Sequence, residues 1–154
     1  MIKPYVELAC DNVAVISDKI YRCLAPIDSY KFGWNFVDIN TILDNVPELR
    51  DFFKQYKLVP LHAAITLVAD DTHLPQHIDE LPVVAKVNFP VHNTQGWANR
   101  WYENDLMIGE VLDMPLPLAF NSQIAHSVER TYAAEVPRIV ASFTFKNDPV
   151  RLLK

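Results

Sequence analysis

Two histidines, one aspartate and one arginine are the residues of this chain whose types and spacing suggest shared chemistry. His77 and Asp79 are two positions apart. His126 follows His77 by 49 residues, and Arg138 follows 12 residues later. Two imidazoles and a carboxylate are ligands for a metal ion, and a guanidinium binds anions. We therefore predict one site in which the first three residues hold a metal and Arg138 holds an anionic co-substrate.

The His77-x-Asp79 pair fits a β-strand, because residues i and i+2 of a strand point to the same face. Two histidines and one carboxylate on one face of an octahedron leave three positions open, which is the arrangement of non-haem Fe(II) oxygenases. The pair alone is weak evidence, since five histidines and twelve aspartates among 154 residues give about 0.4 such pairs by chance. The alternative is a surface or turn histidine beside an aspartate.

Arg138 lies near the start of a strand-like run over residues 137–145. Within this run Arg138, Val140 and Ser142 share a face. A guanidinium and a hydroxyl on one inward face can hold a carboxylate by charge-assisted hydrogen bonds. The alternative is an edge-strand arginine in a surface salt bridge.

Lys86 and Asn88 interrupt the otherwise apolar run over residues 82–91 and share one of its faces. One interpretation is a strand whose polar face is half solvated. The other is that this face borders a polar pocket, in which Asn88 would hydrogen-bond a ligand and Lys86 would contact an anion. On the second interpretation both residues bind the co-substrate together with Arg138 and Ser142.

The run over residues 97–103 alternates Asn99 and Trp101 with Arg100 and Tyr102. Such alternation indicates a strand. We expect Arg100 and Tyr102 to line the same pocket as substrate-binding residues, and Trp101 to be a core or rim aromatic.

The remaining candidate motifs are few. His62, His73 and His92 fit no ligand pattern, although His73 lies near enough to His77 in sequence to be a rival ligand. The chain has no GxSxG elbow and no HExxH motif, which argues against a serine hydrolase and a zincin. Three glycines against eleven prolines, with no GxGxxG and no Walker A motif, argue against a phosphate-binding loop.

Composition describes an ordinary globular chain. Half of the residues are hydrophobic, 21% are charged and the net charge is −5, so nucleic acid is not an expected partner. Two cysteines are too few for a disulfide framework. No apolar run reaches the roughly 18 residues that span a bilayer, and the N-terminus lacks a signal-peptide core. We expect a cytoplasmic protein without membrane contact.

Periodicity predicts two helices followed by short strands. The helices are expected at about residues 12–24 and 46–57, and alternate aromatics predict a strand within 27–43. Further strand candidates are 61–69, 75–80, 82–91, 97–103, 116–121 and 137–146, with a turn at 70–72. Several short strands at this spacing are typical of a β-sandwich or barrel.

A single domain is predicted over residues 1–154, with helical support over 1–60 and a β-rich core over 61–146 that carries the candidate chemistry. Residues 102–117 are the candidate lid over the site, with Gly96 and Gly109 as candidate hinges.

The ordered set of motifs resembles the Fe(II)- and 2-oxoglutarate-dependent oxygenases. The resemblance rests on His77-x-Asp79, His126 and Arg138 and covers about residues 61–146. The sequence His126-Ser-Val, followed by Pro137-Arg138-Ile-Val, is also similar to the aspartyl/asparaginyl β-hydroxylase branch.

This resemblance implies a mainly β fold, the double-stranded β-helix or jelly roll, with N-terminal helices bracing one sheet. It implies Fe(II) on His77, Asp79 and His126, and 2-oxoglutarate that chelates the iron and places its far carboxylate on Arg138. O2 would take the remaining position, and oxidative decarboxylation to succinate and CO2 would accompany hydroxylation of an amino-acid, peptide or small-molecule substrate.

Two other interpretations stay open. A cupin-like metal-binding protein or isomerase would use the same ligands without 2-oxoglutarate, although cupins usually show HxH with a Glu rather than HxD. A jelly-roll interaction protein would use its acidic, proline-rich surface as a binding face and would need no metal.

Overall fold

The structure is a computed structural model of the 154-residue chain and describes residues 2–69, 73–79, 83–131 and 134–154. Within these residues the α-helices are α1 (Val13–Cys23), α2 (Ile39–Leu43) and α3 (Pro47–Gln55). The strands are β1 (Tyr5–Glu7), β2 (Gly33–Val37), β3 (Pro60–Val68), β4 (Leu74–His77), β5 (Ala85–His92), β6 (Trp97–Glu103), β7 (Leu106–Leu112), β8 (Leu118–Asn121), β9 (Ala125–Arg130) and β10 (Arg138–Phe145). Single 3₁₀ turns lie at Ile27–Ser29 and Pro149–Leu153.

The strands form two antiparallel sheets that face each other. The larger sheet has the order β1-β8-β5-β10-β3-β2, and the smaller sheet has the order β4-β9-β6-β7. Apolar side chains of both sheets meet between them: Trp101 and Val111 of the smaller sheet pack with Leu118, Phe120 and Val140 of the larger. The predicted fold class, mainly β with N-terminal helices in a double-stranded β-helix, is confirmed.

The main hydrophobic core lies on the other face of the larger sheet, under the helices. Its helical side is built from residues such as Ile16, Ile20 and Phe53, all at most 1% exposed. The ring of Phe53 packs edge-on against Phe143 and Phe145, with centroids 5.1 Å away in both cases. Because strand side chains alternate, a strand that gives one face to this core turns its other face toward the smaller sheet.

Residues 1–60 contribute strands as well as helices. Short β1 pairs with β8, placing Tyr5 opposite Phe120, and β2 pairs with β3. Both outer strands of the larger sheet thus come from the first 60 residues. The division into helical support over residues 1–60 and a β-rich core over 61–146 stays a prediction. Among the described residues, no helix has the length and apolar character needed to cross a membrane.

Residues 102–117, predicted as a lid, instead contain strand β7. Gly109, predicted as a hinge, lies within that strand at a point of close packing, because a Cβ atom there would come 2.8 Å from the ring of Tyr5. The Tyr5 ring in turn stacks on Trp101, with centroids 4.4 Å apart. The lack of a side chain at Gly109 is thus explained by contact with Tyr5. The turn predicted at residues 70–72 lies outside the described residues.

The aromatic contacts of α3 predict that Phe53 is a major source of stability. Phe53→Ala would leave a cavity against the larger sheet, and we expect it to lower the free energy of unfolding by about 3–5 kcal/mol. The measurement is urea unfolding followed by circular dichroism. Gln55→Ala, an exposed change on the same helix, is the control and should stay within about 0.5 kcal/mol of the parent. A loss below about 1 kcal/mol for Phe53→Ala would contradict this account of the core.

Candidate metal centre

Strand pairing brings the two predicted histidine ligands together. β4 and β9 are antiparallel neighbours, and His77 is directly opposite His126. Their ring centroids are 4.4 Å apart. Asp79 lies two residues past the end of β4 rather than on the strand, and its backbone N–H donates to the Ser122 carbonyl at 3.1 Å. The prediction that His77 and Asp79 share a strand face is corrected, although the two side chains do meet.

The three side chains form a compact ligand set. Asp79 Oδ1 lies 3.4 Å from His77 Nε2 and 3.4 Å from His126 Nε2. The ligand atoms all lie within 4.8 Å of one another. Two atoms bound at right angles to one metal, each at about 2.1 Å, are about 3 Å apart. The set therefore fits a single metal ion with only small adjustment.

Backbone contacts fix the orientation of both imidazoles. The Nδ1–H of His77 donates to the Pro75 carbonyl, and the Nδ1–H of His126 donates to the Ile124 carbonyl, both at 2.7 Å. In the neutral ring each Nε2 is then an acceptor. Two nitrogen lone pairs and a carboxylate oxygen converge on one point, and such a cluster requires a cation, either a proton or a metal.

The charges at this point hold Asp79 ionised. Burial acts to raise the pKa of Asp79, but hydrogen bonds that protonated His126 and His77 donate from Nε2, together with the charge of Lys86, outweigh it and hold the pKa far below its usual range. The hydrogen bond with Asp79 raises the pKa of His77 and exceeds the opposing effect of burial. Without metal, His77 therefore retains a proton more readily than an ordinary histidine does.

The ligand set opens into a cavity between the two sheets, and Arg138 lies on its wall. Arg138 is 1% exposed. Its Nη2 donates to Asn99 Oδ1 at 3.2 Å and lies 3.9 Å from Met114 Sδ. Among the described residues it has no acidic partner, and burial lowers the pKa of Arg138 to about 10.

Three hydrogen-bond donors on the cavity wall have no acceptor in the described part of the chain. They are Arg138 Nε, Asn99 Nδ2 and Trp101 Nε1. A buried donor without a partner costs about 1–3 kcal/mol, and more when it is charged. Since all three are donors and one is cationic, this part of the cavity is suited to an anionic ligand with several oxygen acceptors.

The other predicted co-substrate residues also line the cavity. Lys86 is 1% exposed, and its Nζ lies 2.6 Å from Asp79 Oδ2. Ser142 donates a hydrogen bond to Asn88 Oδ1. The structure thus brings Lys86, Asn88 and Ser142 into one space with Arg138, and their contact with a co-substrate stays a prediction.

Arg100 and Tyr102 lie outside this cavity. Arg100 donates to Glu110 at 2.7 Å and to Glu129 at 3.0 Å, and the Tyr102 hydroxyl donates to Glu129 at 3.1 Å. The opposite face of β6, with Asn99 and Trp101, lines the cavity instead. The assignment of Arg100 and Tyr102 as substrate-binding residues stays a prediction. It would require a substrate that reaches the outer face of the smaller sheet.

Sequence patterns did not select Asn99 as a site residue, nor Trp34, whose ring lies 3.9 Å from Lys86 Nζ. The alternation within residues 97–103 contained the signal for Asn99, because it shares a face with Trp101. Trp34 carried no such signal, since its strand β2 is distant in sequence and reaches the cavity through pairing with β3.

Comparisons of the sequence with protein-family models and with curated proteins give no match. Solved structures do match. AviO1 from Streptomyces viridochromogenes Tue57 aligns with a TM-score of 0.56 at 14% identity, over 96% of this chain and 92% of that chain. A Pseudomonas putida prolyl-4-hydroxylase aligns with a TM-score of 0.55 at 11% identity, over 94% of each chain. EvdMO1 aligns with a TM-score of 0.56 at 12% identity, over 94% of this chain and 48% of that chain.

At such low identity these likenesses establish the fold. The chain shares its jelly-roll architecture with proteins that include a hydroxylase. The resemblance to the aspartyl/asparaginyl β-hydroxylase branch stays a prediction, since it rests on the sequence around His126 and Arg138 alone.

The raised pKa of His77 predicts how metal binding depends on pH. A metal binds the neutral imidazole, so a proton held on His77 competes with it. We expect affinity for Mn²⁺ to fall by about tenfold per pH unit as pH is lowered through this raised pKa. The same shift stabilises the metal-free fold below the usual histidine pKa, and that stabilisation is lost as pH rises through the raised value.

The measurement is Mn²⁺ titration by calorimetry across about pH 5 to 9. His92→Gln, a change at an exposed histidine that packs against Tyr21, is the control and should keep the parent profile. A Mn²⁺ affinity that does not change over this range would show that no proton is displaced from the site.

Proposed function

We propose that the protein is an Fe(II)- and 2-oxoglutarate-dependent oxygenase that hydroxylates an amino-acid, peptide or small-molecule substrate. The observation that carries this proposal is the buried guanidinium of Arg138, which has no acidic partner among the described residues and shares one cavity with His77, Asp79 and His126.

A buried cation without a counter-charge is costly, and a protein that retains one commonly pairs it with a ligand. Carboxylate oxygens would accept from Arg138 Nε and from the unpaired donors of Asn99 and Trp101. A ligand that meets these donors at one end and the metal ligands at the other needs acceptor groups at both ends. 2-Oxoglutarate has this chemistry.

Iron at this site would supply oxygen activation coupled to oxidation of 2-oxoglutarate. The residues of the chain would hold and orient the reactants. His77 and His126 present Nε2 because their Nδ1 atoms are bound to backbone carbonyls, and Asp79 remains ionised. Apolar residues such as Leu118 and Val140 line the same space and would limit the access of water to bound reactants.

The fold supports the proposal, because a Pseudomonas putida prolyl-4-hydroxylase has the same architecture over 94% of each chain. Its name indicates a hydroxylase, and the proposal extends the reaction class, not the prolyl substrate, to this chain. The aspartyl/asparaginyl branch suggested by His126-Ser-Val and Pro137-Arg138-Ile-Val would favour an amino-acid or peptide side chain as substrate.

A first test is anaerobic titration with Fe(II) and then with 2-oxoglutarate. We expect a metal-to-ligand charge-transfer absorption band to appear only after the second addition, because the band requires chelation of the metal by the 2-oxo acid. His77→Ala should abolish the band, since it removes one of three ligands. His92→Ala is the matched control at a histidine outside the site and should leave the band intact.

Two outcomes would point elsewhere. Metal binding that is indifferent to 2-oxoglutarate would favour the cupin-like alternative, in which Arg138 serves another ligand. Protein that binds no metal and has unchanged stability in its presence would favour the jelly-roll interaction protein.

A second test concerns Arg138. Arg138→Met keeps much of the side-chain volume and removes the charge, so we expect 2-oxoglutarate to bind about 10- to 100-fold more weakly, while Mn²⁺ binding persists. Because no described residue supplies a counter-charge to the buried guanidinium, stability without ligand should be unchanged or higher. Calorimetric titration and thermal unfolding measure the two effects.

Arg22→Met is the control, since Arg22 is an exposed arginine paired with Asp18 on α1. It should leave 2-oxoglutarate affinity at the parent value. A strong loss of stability in Arg138→Met with unaltered 2-oxoglutarate affinity would show that Arg138 supports the fold and does not bind the co-substrate.

A further inference from the structure

We propose that Lys86 is a positioning residue that keeps one coordination position of the metal free by holding the second oxygen of Asp79. The inference rests on the proposed function only in requiring a metal on His77, Asp79 and His126. It does not depend on 2-oxoglutarate or on the identity of the substrate.

Lys86 is held firmly at this place. Its side chain extends from β5 into the cavity and is 1% exposed, with Nζ 2.6 Å from Asp79 Oδ2. The ammonium also lies 3.9 Å from the ring centroid of Trp34 and 5.4 Å from that of Phe120. Asp79 is its acidic partner among the described residues, and a buried ammonium that left this partner would be strongly penalised.

The two oxygens of Asp79 therefore have different partners. Oδ1 faces both histidine Nε2 atoms at 3.4 Å, whereas Oδ2 faces Lys86. A carboxylate can bind a metal through one oxygen or through both. With Oδ2 engaged by Lys86, and with the Asp79 backbone N–H fixed on the Ser122 carbonyl, a metal would receive Oδ1 alone.

The number of protein donor atoms decides what else the metal can bind. Three donors leave about three of six positions open, whereas a carboxylate bound through both oxygens would leave about two. A chelating co-substrate takes two positions, so only the first arrangement leaves a place for a further small ligand. The positive charge of Lys86 also offsets the negative charge of Asp79. The site therefore binds a divalent metal less tightly, but the metal keeps more of its positive charge for an anionic chelator.

The test counts the water molecules on Mn²⁺ bound to the protein without any other ligand, from EPR line broadening in ¹⁷O-enriched water. We expect about three waters in the parent and about two in Lys86→Met, which keeps an unbranched apolar chain but lacks the cation. Lys86→Arg keeps a cationic donor, and cavities that border Lys86 leave room for the larger group. It should restore a count of about three.

Mn²⁺ affinity provides a second measurement. Lys86→Met should bind Mn²⁺ roughly tenfold more tightly, because it gains a donor atom and loses a nearby positive charge. If Lys86 served only to fill space, Lys86→Met would leave the water count at the parent value.

A parent count of about two waters would overturn the proposal, because Asp79 would then bind through both oxygens despite Lys86. A folded Lys86→Met with about three waters would overturn it equally. If Lys86→Met does not fold, Lys86→Leu, which also lacks the cation, takes its place with the same expected count of about two. Failure of the parent to bind Mn²⁺ would refute the metal centre itself, whereas bound Mn²⁺ with the wrong count refutes only the role of Lys86.

Discussion

The antiparallel pairing of β4 with β9 is the contact on which the candidate site depends. Residues directly opposite each other in such a pair are about 4.5–5.5 Å apart, which is close enough for two side chains to share one ion. A slip of one residue would turn His126 to the other face of the sheet. β9 is also paired with β6, where His126 is opposite Trp101. The register that joins the two histidines is therefore fixed from both sides.

The second constraint is the burial of two cations, Lys86 and Arg138, in the same cavity. Lys86 is neutralised by Asp79, whereas the polar partners of Arg138 within the described part of the chain are the amide of Asn99 and the sulfur of Met114. An unneutralised guanidinium lowers stability unless a ligand compensates it. The free protein therefore bears an electrostatic cost at Arg138 that an anion would remove, and this links the fold directly to ligand binding.

Much of this site was predictable from the sequence because strand alternation is a strong local rule. It placed Arg138 and Ser142 on one face, and Lys86 and Asn88 on one face, and the structure puts all four on the cavity wall. The short strands indicated a β-sandwich or barrel, and the family resemblance carried by the motif order implied the jelly roll. The metal and co-substrate roles of these residues are still predictions, since proximity is not evidence of binding.

Alternation cannot tell which face of a strand is turned inward when both faces have similar chemistry. On β6 each face carries both polar and aromatic residues, Asn99 with Trp97 and Trp101 on one face and Arg100 with Tyr102 on the other, so local sequence left the choice open. Glutamates on β7 and β9 form ion pairs with Arg100, and these pairs keep Arg100 on the outer face of the smaller sheet. These contacts depend on strand neighbours far apart in sequence, and no local pattern contains them.

The two halves of the site differ in how firmly the fold holds them. Arg138 and Lys86 project from β10 and β5, inner strands of the larger sheet whose other face is covered by the hydrophobic core. His77 ends β4, an edge strand of the smaller sheet, and Asp79 follows beyond it. A metal bound by His77, Asp79 and His126 would tie this edge to β9, and ligand binding to the folded state adds to its stability. The half with Arg138 and Lys86 is thus supported by the hydrophobic core, whereas the half with His77 and Asp79 would gain its support from a bound metal.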